Sequence, residues 1–469
     1  MTGPVPPGRT ASVTDTVTAI AALVTAALAV CGPYRGVIAG TAVSIGWMHA
    51  AFAAAGLAAI RHAAIPRPTV LASIQHWRAW LERRPALHDA VLATLAIRLP
   101  IVLVGLLATA TIGLPVTGAD GSARGPTRAL AARWDAQWYA GIAAHGYEWQ
   151  HSFNPQQNLA FFPAFPLLIR GVGAVTGAFA DGVPEDKQIV RLTWCGLAIA
   201  LAAFLWAAWY FGRIAREMMD EPQARAGLWI LAAYPFAIFY SASYTESLFL
   251  LAALGTWFHF RHDHMTATVG WGLLAGLTRP NGCFLSIPLG LLALGVRDGG
   301  AVPRSGVSWR RLMLAAMPGV GMLLFTLYAH QLTGVWFAWA RTHAAWGRVV
   351  GSESPLAIFA GFGPGGLAGF AADHPYDLLN GLGLLFAVAL APAVWRLSPA
   401  WAVFVLTGVL VPLSAGGLLS MGRLTSTLFP LFLAAALVVP AGGASALVTG
   451  FALMQGLLAA LFYTWRDVY

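Results

Sequence analysis

The chain has 469 residues, of which 58% are hydrophobic and only 10% are charged, and its net charge is +9. A soluble globular protein carries about 25% charged residues, so this composition excludes that class and predicts a polytopic membrane protein. The basic residues lie mainly in short loops, which indicates the positive-inside bias of membrane proteins and excludes a dense nucleic-acid-binding run. The three cysteines are far apart in apolar segments and predict neither a disulfide framework nor a metal site.

Apolar runs predict the membrane spans, because a helix needs about 20 apolar residues to cross a bilayer. We expect the first span to be retained, since its apolar run has no clear cleavage site of a signal peptide. A break at 279–282 separates two short spans, and either two tilted spans or one hairpin fits them. The predicted spans are 16–34, 37–60, 89–112, 188–214, 224–242, 245–262, 266–279, 282–297, 309–332, 375–396, 399–418, 424–440 and 444–464.

The distribution of charge predicts the orientation. With the N-terminus inside, the Arg-rich loops 61–88 and 297–311 are cytoplasmic, whereas the long loops 113–187 and 333–374 lie outside with nearly balanced charge. We interpret 161–177 as a re-entrant or interfacial helix, because a span there would invert every later loop. The predicted fold is therefore an all-α polytopic membrane protein with about 13 transmembrane helices and a helical first large outer loop.

Under this orientation, polar groups from five segments converge on the outer face and predict a binding site there. Asp135 is the sharpest candidate, because a carboxylate among Trp and Tyr beside the bilayer can take a proton from a hydroxyl group. A helix N-cap or a salt bridge to Arg133 or Arg128 explains this acid equally well. The five segments are 133–135, 244–247, 279–282, 331–334 and 420–423.

Three other charged residues in these segments and one in a span leave alternatives open. Arg279 and Arg423 stand beside predicted helix breaks, where guanidinium groups bind phosphate or extend to lipid headgroups. Glu246 binds sugar hydroxyls, pairs with an arginine or favours a helix N-terminus. Arg98 lies inside the 89–112 span and needs a partner, in a structural or a lipid-phosphate role.

The sequence contains no P-loop, HExxH or GxSxG motif, which disfavours ATP-driven transport and the common hydrolase mechanisms. The run 261–264 contains two histidines and an aspartate, but its place in a short cytoplasmic loop predicts solvated charge. The outer loops show no metal-ligand cluster, so no cofactor is indicated and a divalent cation stays an open alternative.

Five motifs in order along the chain resemble the PIG-V family of mannosyltransferases, which are multispan GT-C-type glycosyltransferases. The resemblance covers roughly 89–465, whereas residues 1–88, predicted as two extra transmembrane helices plus a basic cytoplasmic linker, depart from the family pattern. It makes 89–469 a GT-C-like catalytic domain, with 113–187 as the catalytic outer loop. The motifs are Trp134–Tyr147, Ala160–Leu167, Tyr244–Phe249, Arg279–Gly282 and Ser420–Arg423 with Phe429-Pro430.

The resemblance implies a polyprenyl-phosphate-mannose donor. Our mechanistic hypothesis is that Asp135 acts as the general base on a hydroxyl of a lipid or glycan acceptor and that one direct displacement inverts the donor linkage. No nucleotide sugar is available outside the cell, so a lipid-linked donor in the membrane agrees with the predicted outward-facing site. An Ala- and Gly-rich chain with one Lys is typical of a high-GC bacterium, which predicts a multi-pass protein of the bacterial plasma membrane. The predicted substrate-binding residues are Arg133, Trp134, Gln137, Trp138, Tyr139, His145, Tyr147, Tyr244, Glu246, Arg279, Asn281, Gln331 and Arg423.

Two other classes of function stay as alternatives. A GT-C transferase that uses another polyprenyl-phosphate sugar, such as a pentofuranose, fits the same motifs. A transporter or flippase for a lipid-linked glycan fits the membrane composition, but such proteins usually contain inverted repeats, and the sequence shows no internal repeat. A non-catalytic partner in cell-envelope assembly is expected if Asp135 proves dispensable.

Overall fold

Helices make up nearly all of the regular structure in this chain, which is described by a computed structural model. It describes residues 9–31, 34–38, 41–64, 70–114, 129–297, 308–349, 366, 369, 372 and 374–468. The helices of these residues are α1 (Arg9–Cys31), α2 (Trp47–Ala64), α3 (Val70–Glu82), α4 (Pro85–Ala93), α5 (Leu99–Thr111), α6 (Ala136–His145), α7 (Ala164–Val175), α8 (Glu185–Arg216), α9 (Glu221–Ala233), α10 (Glu246–Arg261), α11 (Met265–Thr278), α12 (Ser286–Ala293), α13 (Trp309–Thr333), α14 (Ala338–Thr342), α15 (Pro375–Leu397), α16 (Pro399–Gly416), α17 (Met421–Ser426), α18 (Pro430–Val438) and α19 (Ala441–Tyr463).

Six helical stretches in the described residues are long and apolar enough to cross a membrane, and a seventh counts if the bent pair Pro235–Ser241 and α10 is one span. On the first of them, Pro85–Thr111, an exposed leucine recurs every three or four residues, as a lipid-facing stripe requires. The prediction of a multi-pass, largely helical membrane protein is therefore confirmed, whereas the count of 13 helices is not. The other five stretches are α8, α13, α15, α16 and Gly442–Tyr463.

Several predicted spans correspond to helices that are shorter than a bilayer is thick. The predicted 224–242 span contains α9 and the 3₁₀ segment Pro235–Ser241, and the predicted 282–297 span contains α12, which has only 8 residues. The segment 161–177 contains α7, with 12 residues, against the about 20 that a span needs. Its re-entrant or interfacial placement stays a prediction.

A β-hairpin in the N-terminal region corrects the predicted span 37–60. Tyr34–Ile38 pairs antiparallel with Thr41–Ile45, and α2 begins only at Trp47, so the predicted span 37–60 does not start as a helix. The strands contain Val37, Ile38, Val43 and Ile45, and β-branched side chains favour extended backbone over helix. An apolar run alone does not separate the two conformations.

A helix break at Tyr234-Pro235 positions the centre of the molecule. Tyr234 is extended because the following proline disfavours helical backbone, and a 3₁₀ segment then turns into α10 with a bend of 96°. Arg98 is fully buried below this break and donates hydrogen bonds to the Ala232 and Ala237 carbonyls and to Gln455 Oε1, at 2.8 Å for the last. The partners of Arg98 are thus carbonyls at a helix end, which supports the structural role among the two that the sequence left open.

Candidate active site

Asp135 begins the short helix α6 but does not cap it. The residue occupies the N-cap position, and its side chain makes no capping hydrogen bond. Instead its Oδ2 accepts a hydrogen bond from Arg423 Nη1 at 2.9 Å, and its backbone N–H donates to the Tyr244 hydroxyl at 3.1 Å. The carboxylate is therefore held by residues that lie far away in the sequence, so the N-cap alternative is wrong for the side chain.

Glu246 joins two arginines from different parts of the chain. It is the first residue of α10 and fully buried, and its Oε1 accepts from Arg279 Nη1 at 2.6 Å and from Arg423 Nε. Arg279 follows α11 at the break made by Pro280, and Arg423 lies in α17. Of the alternatives for Glu246, pairing with arginine is observed, and the position at a helix N-terminus also favours its charge.

Left-handed backbone precedes both members of the Asp135–Arg423 ion pair. Trp134 has φ 51° and Ser420 has φ 58°, a region that non-glycine residues rarely adopt and that raises the free energy by about 1–3 kcal/mol each. Trp134 Nε1 donates to the Phe462 carbonyl at 3.3 Å, and its ring lies 4.9 Å from that of Trp465. These contacts with the end of α19 hold the turn that presents Asp135.

Close packing places Arg423. A Cβ on Gly422 would overlap the Phe236 ring, so only glycine lets α17 approach the 3₁₀ segment this closely. The Gly422 N–H donates to Asn380 Oδ1 at 3.0 Å, which ties α17 to α15. The Arg423 guanidinium lies over the Tyr244 ring, 4.6 Å from its centroid. A cation on an aromatic face is stabilised, and its orientation is fixed.

Asp135, Arg279 and Arg423 border a cavity of about 400 Å³. This volume lies within the range of about 300–1,000 Å³ that is typical of small-molecule sites. Five of the predicted residues line it: Asp135, Tyr139, Arg279, Asn281 and Arg423. Residues from four further parts of the chain complete the wall: Phe161 and Phe162, Thr245, Trp339 to Arg348, and Val411 to Ser420.

Tyr139 presents a protonated hydroxyl in this wall. Its hydroxyl lies 3.4 Å from Thr245 Oγ1, and its ring packs edge-on against Phe161 and Phe165 at 5.1 and 5.3 Å. Burial raises the pKa of Tyr139 to about 12, which exceeds the opposing effect of the nearby Arg423 charge. At neutral pH the group is therefore a hydrogen-bond donor as well as an acceptor.

Four of the predicted binding residues form the layer behind the cavity wall rather than the wall itself. Trp138 stacks on Phe161 at 5.7 Å, and the Tyr147 hydroxyl donates to the Phe161 carbonyl at 2.6 Å. Tyr244 and Glu246 are fully buried and contact the lining residues Asp135 and Arg423. Their geometry supports a role in positioning the wall.

The remaining predicted binding residues lie away from this cavity. Arg133 Nε donates to the Tyr463 carbonyl at 2.7 Å and supports the loop before α6. His145 lies 3.3 Å from Glu185, while Gln137 and Gln331 are exposed. Direct contact of these four with substrate stays a prediction, as it does for Trp134, which also does not line the cavity. Arg128, the other suggested partner of Asp135, lies outside the described residues.

His343 and Arg348 line the cavity, but sequence reasoning did not select them as binding residues. His343 Nδ1 lies 2.7 Å from the Trp339 carbonyl, so this nitrogen carries the proton. Burial lowers the pKa of His343 to about 4, and the imidazole is neutral at pH 7. The signal that could have indicated these two residues is the high density of aromatic and basic residues in 336–348. Residues that anchor a protein at the membrane interface show the same pattern, so the sequence does not separate the two roles.

Among the described residues, no group of three or more His, Cys, Asp and Glu side chains is arranged to hold a metal ion. The run 261–264 lies at the opposite end of α10 from Glu246, where Asp263 pairs with Arg311 at 2.6 Å and His262 lies 3.4 Å from Glu217. These contacts are ion pairs that join helix ends, and they agree with the prediction of loop charge rather than a ligand set.

The described part of the chain combines apolar helices of span length with a cavity bordered by charged side chains. Comparison with known families identifies the class as glycosyltransferase. Residues 126–290 match the family described as Mannosyltransferase (PIG-V). The predicted family is therefore confirmed, over a narrower range than the 89–465 suggested by the motifs. The match contains Asp135, Glu246 and Arg279, while Arg423 lies beyond it. No curated protein sequence matches the chain.

Proposed function

We propose that this membrane mannosyltransferase moves mannose from polyprenyl-phosphate-mannose to a hydroxyl of a lipid or glycan acceptor, at the outer face of the bacterial plasma membrane. The observation that carries the proposal is the cavity in which Asp135 lies beside Arg423 and Arg279. A carboxylate supplies a base, and guanidinium groups supply the charge that a phosphate leaving group needs. The positive-inside pattern of the loops supports the outward-facing placement.

Asp135 is the proposed general base. Its Oδ2 is engaged by Arg423, whereas its Oδ1 has no hydrogen-bond partner among the described residues and can accept the acceptor proton. The acceptor oxygen then forms a bond to the anomeric carbon of mannose. The bond from that carbon to the phosphate oxygen breaks, and its electron pair leaves with the phosphate. Arg279 and Arg423 stabilise the charge that grows on this leaving group.

Direct displacement makes the reaction inverting. Retention by two successive displacements needs a second carboxylate as nucleophile, about 5–5.5 Å from the first in glycosidases. Asp135 is the carboxylate that lines the cavity within the described part of the chain, and Glu246 lies buried behind it with two arginines on one oxygen. One attack on a β-linked donor therefore gives an α-mannoside.

The experiment that tests this proposal measures transfer from radiolabelled polyprenyl-phosphate-mannose by protein in lipid nanodiscs, with a membrane-lipid extract as acceptor. Asp135→Asn keeps the shape of the side chain and removes its basicity, so we expect turnover to fall by at least about 100-fold. Glu148→Gln is the matched control, because Glu148 is an exposed acid in the same loop. It is expected to transfer mannose like the wild type.

The outcomes separate the alternatives. Near-normal transfer by Asp135→Asn would show that another group is the base. Transfer only from a polyprenyl-phosphate-pentofuranose would replace mannose as the donor sugar. Movement of an intact lipid-linked glycan across the bilayer, without a new glycosidic product, would support the transporter alternative.

A further inference from the structure

Arg348 is a cation fixed at the cavity wall by its backbone. Gly347 has φ 73°, a left-handed turn that glycine adopts without strain, and the Arg348 N–H donates to the His343 carbonyl at 3.1 Å. The next N–H, of Val349, donates to the Ala415 carbonyl at 2.7 Å, and this bond ties the segment to α16. These two hydrogen bonds fix the backbone from which the Arg348 side chain extends.

The guanidinium of Arg348 has more donors than partners. Its Nη2 donates to the Leu419 carbonyl at 2.8 Å, and this is its one side-chain hydrogen bond within the described part of the chain. An arginine side chain carries five N–H donors in a planar fork that matches the oxygens of a phosphate group. By contrast, Arg279 and Arg423 already donate to Glu246, and Arg423 also donates to Asp135.

Among the described residues around the cavity, one positive charge has no matching negative charge. Arg279, Arg348 and Arg423 face the two carboxylates of Asp135 and Glu246. Burial and the nearby Arg423 and Arg279 charges lower the pKa of Arg348 to about 10, so it is still protonated at neutral pH. The neutral His343 adds no charge. A partly buried cation without a counter-ion is unfavourable, and an anionic ligand would relieve it.

We propose that Arg348 binds the phosphate of the lipid donor and is the main phosphate ligand of the cavity. This assignment rests on the proposed function and adds a residue to it. The phosphodiester of a polyprenyl-phosphate sugar carries one negative charge, which matches the one unmatched cation. During transfer the phosphate gains a second negative charge while Asp135 is protonated and loses its own. Protonation of Asp135 removes one negative charge from the protein groups around the cavity. Their net positive charge therefore increases as the negative charge on the phosphate increases.

The test separates phosphate binding from mannose transfer by measuring both. Binding of a fluorescent polyprenyl monophosphate to protein in nanodiscs is compared with binding of the uncharged polyprenol. We expect Arg348→Gln to weaken binding of the monophosphate by about tenfold or more, with binding of the polyprenol unchanged. Arg348→Lys keeps the charge without the planar fork and is expected to retain part of the affinity.

The matched control is Arg341→Gln. Arg341 is an exposed arginine of α14 in the same segment, and its guanidinium lies over the Phe153 ring at 5.6 Å, away from the cavity lining. We expect it to bind the monophosphate like the wild type. In the transfer assay, Arg348→Gln should raise the KM for the donor and leave the KM for the acceptor unchanged.

Each result tests whether Arg348 is the phosphate ligand, whether or not mannose is the sugar of the donor. If the wild type binds the monophosphate through Arg348 but does not transfer mannose, the phosphate subsite holds and the proposed sugar is wrong. If Arg348→Gln binds the monophosphate as tightly as the wild type does, Arg348 is not the phosphate ligand, whatever the transfer rate. Failure of the wild type to bind the monophosphate in preference to the polyprenol overturns the assignment as well.

Discussion

Two charged networks lie at opposite ends of α8 and α10, and they differ in how completely their charges are matched. At the end where α8 finishes, Asp89 accepts from Arg216 Nη2 at 2.6 Å and lies 3.4 Å from Arg225. Arg216 also donates to Glu221 at 2.7 Å. Two arginines thus face two carboxylates, and none of these four residues lines the cavity. We call this the Asp89 network.

The Glu246 network (Asp135, Glu246, Arg279, Arg348 and Arg423) lies where α10 begins. The 16 residues of α10 separate the two ends by about 24 Å. Here three arginines face two carboxylates beside a cavity. This difference fits the proposed roles: the Asp89 network matches its charges within the described residues, whereas the Glu246 network has an additional positive charge for an anionic ligand.

Removing the central carboxylate of the Glu246 network should have the largest effect on stability. In Glu246→Gln the buried guanidinium groups of Arg279 and Arg423 lose their shared negative charge and repel each other. Removing one partner of a buried ion pair typically lowers the free energy of unfolding by about 3–5 kcal/mol. We expect a marked fall in the midpoint of thermal unfolding in detergent, together with loss of mannose transfer because Arg423 no longer holds Asp135.

Glu148→Gln serves as the comparison for that measurement, since it removes an exposed carboxylate of the same charge. A midpoint for Glu246→Gln equal to that of the wild type would mean that the two arginines do not depend on Glu246. The interpretation of Glu246 as the centre of the network would then be wrong.

A smaller loss of stability is expected from the Asp89 network, and it sharpens the comparison. In Asp89→Asn, Arg216 keeps Glu221 as a partner, so a loss of about 1–3 kcal/mol is expected. Because this network lies far from the cavity, transfer per folded molecule should equal that of the wild type. The measurement is the rate divided by the folded fraction from size-exclusion chromatography. A fall in this normalised rate would show that the two ends are coupled.

The parts of the fold that the sequence predicts are those with a local physical signal. Apolar runs mark the long spans, and Arg279-Pro280 marks the helix break, because proline cannot continue the hydrogen-bond ladder. The polar residues of the outer segments, Asp135 and Arg423 among them, stand out because ionisable groups are unfavourable near lipid. For these residues the position in the sequence was enough to predict a shared face.

The pairing of these residues had no local signal. Arg423 meets Glu246 across 177 residues of sequence, and nothing in either segment specifies the other. Arg348 acquires its place through the turn at Gly347, the bond to Leu419 and the bond from Val349 to Ala415 at the end of α16. The hairpin 34–45 has a local signal, but that signal is ambiguous, because its apolar residues suit a strand and a span equally.

The smallest predicted effect is on the pH dependence of stability, and it concerns His343 in the cavity wall. Burial, with the charges of Arg348 and Arg279, lowers the pKa of His343 to about 4, while an unfolded histidine has a pKa of about 6.5. Between these values the unfolded chain binds a proton that the folded chain does not. The contribution of neutral His343 to stability is therefore complete above about pH 6.5 and is lost progressively as the pH falls toward about 4.

His343→Gln removes this titration, so its unfolding midpoint should fall less steeply than that of the wild type between about pH 6.5 and about pH 4. The comparison variant is His62→Gln, which changes an exposed histidine of α2 and should keep the pH dependence of the wild type.

Parallel pH profiles for His343→Gln and the wild type would mean that His343 takes up a proton as readily in the folded chain as in the unfolded one. The imidazole would then be a cation at mildly acidic pH, and the cavity would hold a second unmatched positive charge there. Measuring the affinity for polyprenyl monophosphate at the same pH values would detect that charge directly, because it would tighten binding in the wild type and leave His343→Gln unchanged.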